Sequence, residues 1–453
     1  MGGAPGSMTD RSPTVQESYH RTKGPWWSRE QSHDRIFKLL YMLTQIRMVL
    51  LYQNTLKRIE PKVYPRREPL PEVEWKGIGR DNKNDRVSVV VLPQLESTRS
   101  KPNRALVVVR RKTYALVDDF PYPQIQNEDE IIISNRAVGL NPIDWKSVDY
   151  NFCLPQLPWI TGREMSGIVD AVGKNVTDVK VGDRVWTSTY YKDRRAGCFQ
   201  QYVAVPQHTV APIPANLDFV SAACLGVAGL TAAMTLWRWL DVPMSTSPAS
   251  TSTSTSGKFP RSSTEYLLVW GGSAVTAQFA IQLAIRGGMS VIAVTSERTR
   301  SIALSLGARY AVARDGKTNE AIVSEIRALV AADDNDPDSI TRAIDLVGPE
   351  TASHCLRAMS TTRLGSFAPL AMISNDMFVP ANITVHTVEM KQFVLNPECR
   401  FYALELNRLV SQGAIKLPSI EVFTGGLDRI QVGLERIKNG DLAGKKLVVS
   451  MAT

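Results

Sequence analysis

The sequence predicts an α/β protein built from a mixed β unit followed by a doubly wound parallel sheet. Three observations carry this. Short β-rich runs, broken by Gly, Pro, Asn and Asp, fill the stretch from Arg104 to about residue 220. From Tyr266 onward, strand-like and helix-like runs alternate, the pattern of a parallel sheet with helices on both faces. The chain has 453 residues and is 43% hydrophobic, enough for more than one sizeable core.

Residues 1–34 are polar and rich in Gly, Ser, Pro and mixed charge, a composition that predicts disorder. The run IFKLLYMLTQIRMVLLY (36–52) then places Ile36, Leu39, Leu40, Leu43, Ile46 and Leu50 on one helical face. Asp10, Glu17, Glu30 and Asp34 argue against an organelle presequence, since transit peptides are poor in acids. The expectation is a docking helix, or an extension upstream of the true start. Charge divides the same way. Residues 1–103 hold 18 Lys and Arg against 11 Asp and Glu, while the remaining 350 hold 35 against 33. The main body is nearly neutral and lacks the basic footprint of a nucleic-acid binder.

RALVVVRR, EIIISNRAVGL, GIVDAVG, DRVWTSTY and FQQYVAV are the predicted strands of the β unit. At Ser221 the pattern becomes helical, in SAACLGVAGLTAAMTLWRWL. A Ser/Thr-rich stretch at 243–263 interrupts it and predicts a flexible surface loop. YLLVWGG, TAQFAIQLAIRGG, MSVIAVTS, TRSIALSLGA, RYAVARD, EAIVSEIRALVAA, TRAIDLVG and SHCLRAM follow as alternating strands and helices. No run of about 18 apolar residues occurs, so no membrane span is expected.

LVWGGSAVTAQFAIQLA (268–284) reads as a strand, a small-residue turn and a helix. In a dinucleotide fold, three small residues at this spacing make the tight turn, the close approach to pyrophosphate and the helix packing. Gly271, Ala274 and Ala277 keep that spacing, and the Ser273 and Thr276 hydroxyls can reach phosphate past the Ala274 methyl. The next strand ends about twenty residues on, where an NAD site offers a carboxylate. Here stand Thr295 and Ser296, then Glu297, Arg298 and Arg300, which suit a 2′-phosphate and favour NADP. Glu297 is the contrary feature, and at a helix start it also suits capping.

The remaining reactive residues form no recognisable constellation. Cys153, Cys198, Cys224, Cys355 and Cys399 are scattered and odd in number, which predicts a reducing, cytoplasmic compartment without disulfides. The five histidines have no ligand spacing, and His354 belongs to an expected core helix. Cys224 is expected to pack, and the acidic run Asp333–Asp338 to be a solvated loop.

Four further stretches carry a family resemblance: GLNPIDWK (139–146), GREMSGIVDAVGKNVTDVKVGDRVW (162–186), GCFQQYVAVP (197–206) and GGLDRIQVGLERIKNGDLAGKKLVV (425–449). Together they resemble medium-chain dehydrogenases/reductases of the quinone-oxidoreductase side, from about Arg104 to the end. The resemblance implies a GroES-like catalytic domain (104–222), a Rossmann NADP-binding domain (223–390) and a C-terminal return to the first (391–453), after the extension 1–103. Zinc-dependent members carry a Cys in the region of Asn141-Pro142-Ile143-Asp144 and a His at the position of Arg163. No four-cysteine lobe is present either, so no metal is expected. That points away from alcohol–carbonyl exchange and toward reduction of a conjugated C=C.

Within the zinc-free branch, LVWGGSAVT and the Ser/Pro-rich insert before it are similar to trans-acting enoyl reductases that serve polyketide synthases. The resemblance implies NADPH contacts from Ile143, Asp144, Trp145 and Lys146, from Ser273, Ala274, Val275 and Thr276, and from Ser296, Glu297, Arg298 and Thr299. Leu370, Ala443 and Gly444 complete the cofactor set, and Arg314 stands where the family often has a cofactor-stacking Tyr. Thr231 and the run Ala232, Ala233, Met234, Thr235, Leu236, Trp237, Arg238 and Trp239 would line the substrate channel. Lys146 either stabilises an enolate or holds cofactor phosphate or ribose. Thr231 either bonds a thioester carbonyl or packs. Asp144 is expected to orient Lys146 or the backbone. The implied partner is a polyketide synthase whose carrier protein presents the substrate, to a monomeric reductase. A stand-alone quinone or enone reductase and a non-catalytic nucleotide-binding scaffold are the alternatives.

Overall fold

The computed structural model describes residues 101–244 and 265–451, apart from 335, 337 and 441. The segment 1–100, with its predicted helix at 36–52, and residues 245–264 of the Ser/Thr-rich stretch lie outside the described residues.

The first half of the described chain contributes β1 (Asn103–Arg110), β2 (Thr113–Phe120), β3 (Glu130–Gly139), β4 (Trp159–Ile160), β5 (Glu164–Val172), β6 (Arg184–Ser188), β7 (Tyr202–Pro206) and β8 (Val210–Pro212). β1 pairs with β2 and β4 in a small antiparallel sheet. β3 is the hub of the larger one, pairing antiparallel with β5 and β7. Its inward residues Ile131, Ile133 and Val138 are fully buried with Met165, Val185 and Phe199. Ile132, between Ile131 and Ile133, is buried as well, so β3 is covered on both faces rather than alternating apolar with polar.

The second half contributes β9 (Tyr266–Trp270), β10 (Ser290–Thr295), β11 (Tyr310–Ala313), β12 (Ile340–Asp345), β13 (Gly365–Pro369) and β14 (Ile383–Val385). All pair in parallel, in the spatial order β11-β10-β9-β12-β13-β14. β9, buried on both faces, lies between β10 and β12, so the connections diverge there. Such a switch point opens a crevice beyond the carboxyl ends of the strands. The chain then returns. β15 (Ile420–Thr424) and β16 (Lys446–Ser450) pair in parallel, and β16 joins β3 antiparallel.

Between the halves runs the helical stretch Phe219–Trp239, apolar and long enough to cross a membrane by composition, but mostly buried. It packs on the helices Val275–Arg286 and Arg400–Ser411 within one core that also includes Trp186 of β6. The acidic run is not the loose, solvated loop expected of it. Asp333 accepts from Tyr266 Oη at 2.5 Å and pairs with Arg309; Asp336 pairs with Arg363; Asp338 accepts from the amides of Thr361 and Thr362 at 2.9 and 2.8 Å. Nearby cations and amides, invisible in the local sequence, hold these carboxylates. His354 is core, as expected, donating or accepting at Glu320 and the Glu350 carbonyl, both at 2.9 Å.

Candidate active site

β9 ends at Trp270, and the turn after it is made by two glycines. Gly271 has φ +87°, a conformation natural to glycine. Both Gly271 and Gly272 donate their amides to the Val294 carbonyl of β10, at 3.1 and 2.8 Å. A Cβ on Gly272 would stand 2.6 Å from Ala293 Cβ, so the turn lies against β10 only because that carbon is absent. Gly272 was not among the expected residues; its signal was the doubled glycine in LVWGGS. Ala277 is fully buried on the core face, the helix-packing position of the spacing.

The helix Val275–Arg286 begins after Ala274 with no side-chain cap. Its first-turn amides are therefore a positive end open to an anion. Gln278 in this helix donates to the Ser273 carbonyl at 3.0 Å and to the Gly444 carbonyl at 2.6 Å. Gly444 has φ +81°, and a Cβ there would stand 3.1 Å from Ser273 O. Ser273, Ala274, Val275 and Thr276 are thus brought beside Ala443 and Gly444, as the resemblance implies. These features fit a dinucleotide: a turn that admits close approach, an uncapped helix end and a second glycine segment beside it.

The far end of the crevice is formed by β10 and β11. Ser296 is partly exposed, and Arg298 and Arg314 are exposed. The Arg314 amide donates to the Thr295 carbonyl at 2.9 Å, which sets it beside the end of β10. Glu297 is exposed, with its amide on Asp315 Oδ2 at 2.5 Å. Thr299 differs from expectation. It is buried, and its hydroxyl is taken by Ser296 Oγ at 2.8 Å, so it supports the turn rather than facing a ligand. Arg300 donates to the Ala311 carbonyl at 2.9 Å and is likewise engaged. Leu370 follows β13, on the other side of β9, with its amide on Asp345 O at 2.8 Å.

The helix Pro142–Asp149 supplies the other wall. Asp144 does not reach outward: it is fully buried, and Oδ2 accepts the Asn141 amide at 2.8 Å, bracing the helix start. Burial pushes its carboxyl up to about 7, against the pull of Arg163. Trp145 packs against the core around Ile131 and Met165, with Lys438 Nζ 5.5 Å and Lys146 Nζ 5.9 Å from its ring. Ile143 and Lys146 are partly exposed. Burial lowers the Lys146 ammonium from its ordinary range, and no acid pairs with it among the described residues.

Behind this wall lies a buried polar cluster that sequence reasoning missed. Lys446 of β16, 2% exposed, pairs with Glu164 of β5, which is fully buried. Lys446 also donates to Asn141 Oδ1 at 2.7 Å and to Leu140 O at 3.0 Å. Glu164 accepts from Asn141 Nδ2 at 2.8 Å and from the Val227 amide at 2.6 Å. The cluster therefore ties β3, β5, β16 and the central helix together. Among the described residues no group of three His, Cys, Asp or Glu side chains gathers.

The implied substrate-channel residues are mostly core. Ala232, Ala233, Met234, Thr235 and Leu236 are fully buried, and Trp237 stacks toward Tyr402 at 6.3 Å. Consecutive helical residues point in different directions, so a whole run cannot face one channel. Thr231, Arg238 and Trp239 remain partly exposed, and Arg238 donates to Cys399 Sγ at 3.5 Å.

Residues 127–215 match the model of the alcohol dehydrogenase GroES-like domain. The chain is 28% identical over 389 residues to the trans-enoyl reductase iccB of Talaromyces variabilis, covering 78% of this chain and 97% of that one. It is 27% identical over 333 residues to the trans-enoyl reductase himH of Aspergillus japonicus, covering 71% and 90%. In fold it is similar to the quinone oxidoreductase of Coxiella burnetii, with TM-score 0.59 and 23% identity over 78% of this chain and all of that one.

Proposed function

The chain belongs to the medium-chain dehydrogenase/reductase superfamily, and from that premise we propose that it is an NADPH-dependent, trans-acting enoyl reductase of polyketide chains. The observation that supports this reading is the conjunction of a glycine turn and an uncapped helix end at the switch point with, among the described residues, no gathered set of metal ligands. Asn141 and Arg163 stand where zinc-dependent members place Cys and His. Bound NADPH supplies the hydride. The protein's own part is position and charge. The Ser273–Thr276 turn and the Ala443–Gly444 segment hold the pyrophosphate at the helix end. Arg298, Arg314 and Ser296 receive the 2′-phosphate. Lys146, with no carboxylate partner among the described residues, offers its charge to the oxygen that becomes anionic when Cβ of the substrate is reduced. Thr231, on the exposed side of the central helix, binds the acyl chain near its carbonyl. The substrate arrives as a thioester on a carrier protein. The test is to incubate the full chain with NADPH and an α,β-unsaturated acyl group on an acyl carrier protein. Mass spectrometry of the acyl chain should show a gain of two hydrogens; an unchanged acyl chain refutes the reading.

A further inference from the structure

Arg163 follows Gly162 at the start of β5 and is only 7% exposed, yet it forms no ion pair within 4 Å among the described residues. Its Nε and Nη2 are buried, and no described residue accepts from either. A buried charge left in this state is costly unless something else satisfies its donors. Arg163 pulls the Asp144 carboxyl down electrostatically, but the two do not bond, and Asp144 Oδ1 is itself without a donor. The position is firmly fixed. The Arg163 carbonyl accepts from the Thr189 amide at 2.8 Å, and its guanidinium lies over the Tyr191 ring at 5.2 Å. The next residue, Glu164, is anchored by Lys446, Asn141 and Val227.

Cys153, in the loop after the helix Pro142–Asp149, feels both Arg163 and Lys391. Lys391 opens a helix whose Phe393 is buried in the second core. Arg163 also acts electrostatically on Asp144, which stands two residues before Lys146 in the helix Pro142–Asp149.

We propose that Arg163 binds the carbonyl oxygen of the enoyl substrate together with Lys146 and shares its charge as the enolate forms. This rests on the enoyl-reductase reading. The electron balance is explicit. Hydride from NADPH makes the new C–H bond at Cβ, and the C=C pair shifts to form Cα=C. The carbonyl π pair moves onto oxygen, facing Nε and Nη2. A proton from water then adds at Cα, restoring the thioester carbonyl, and NADP⁺ leaves. A planar guanidinium offers two parallel donors to one acceptor, which a lysine cannot do.

The experiment compares wild type, Arg163→Met and Arg163→Lys with crotonyl-pantetheine as oxidant and butyryl-pantetheine as an unreactive ligand. Without cofactor, tryptophan fluorescence should show butyryl-pantetheine binding about tenfold weaker in Arg163→Met, with NADPH affinity unchanged. Single-turnover NADPH oxidation by crotonyl-pantetheine should slow about a hundredfold in Arg163→Met and less in Arg163→Lys. Should Arg163→Met lower the melting temperature, Arg163→Gln replaces it, with the same expectation. Near-wild-type binding and rate in a folded variant would overturn the role of Arg163 while leaving the enoyl-reductase reading intact. Failure of the wild type itself to oxidise NADPH with crotonyl-pantetheine and with a crotonyl-carrier protein alike would overturn both.

Discussion

Lys446 and Glu164, 282 residues apart in sequence, form an ion pair in the interior, with neither side chain more than 2% exposed. The pair joins the last strand to the first half of the fold, and Asn141 and Val227 complete its hydrogen bonds. Gln278, through Gly444, links the same returning segment to the dinucleotide turn. The helix Pro142–Asp149 and the turn after β9 are therefore both tied to the same returning segment.

Breaking this pair from one side should be costly, because the other charge stays buried. Glu164→Gln is expected to lower stability by about 3 kcal/mol in denaturant unfolding, and adding Lys446→Met should restore part of the loss. Equal stability of wild type and Glu164→Gln would show that the pair contributes nothing.

Asp144 gives a pH signature. Burial raises its carboxyl from the ordinary 3.8 to about 7, so the folded state holds the proton more tightly than the unfolded state. Its contribution to stability is complete below about pH 4 and is lost as pH rises through about 7. The melting temperature of wild type should therefore fall, relative to Asp144→Asn, between pH 5 and pH 8. A constant difference across that range contradicts the assignment.

Arg298, exposed beside Ser296, is the residue assigned to the 2′-phosphate. Fluorescence titration should show NADPH bound far more tightly than NADH, and Arg298→Ala should weaken NADPH by roughly tenfold while sparing NADH. Equal affinities in the wild type would remove the NADP assignment.

Much of this organisation was legible in the sequence. Strand–helix alternation from Tyr266 gave the parallel sheet, and Gly271 with Ala277 marked the turn and the packing face. The returning segment also left a signal: Gln278 and Gln282, four residues apart on an apolar helix, are buried. Gln278 bonds Gly444, and Gln282 bonds the Lys416 backbone, accepting its amide at 2.7 Å. The Lys446–Glu164 pair and the state of Arg163 were not legible, because each depends on which distant side chains fail or succeed in meeting. Thr299, Trp145 and the run Ala232–Leu236 are ligand contacts only by the family resemblance; Thr299 and Ala232–Leu236 are buried, because helices and turns divide neighbours in sequence between faces.

Lys146 separates two roles by kinetics. Lys146→Met should slow the hydride step by about a hundredfold, roughly 3 kcal/mol, while leaving NADPH affinity nearly unchanged. Weakened NADPH binding with full turnover at saturation would make it a cofactor-holding residue instead.

The most direct test of the central claim is a comparison of acceptors for the purified protein at saturating NADPH. The ratio kcat/KM, followed by NADPH oxidation, is measured for an α,β-unsaturated acyl thioester on a carrier protein and for a simple para-quinone. The account predicts a clear preference for the thioester. Rapid quinone reduction with no thioester turnover would contradict it.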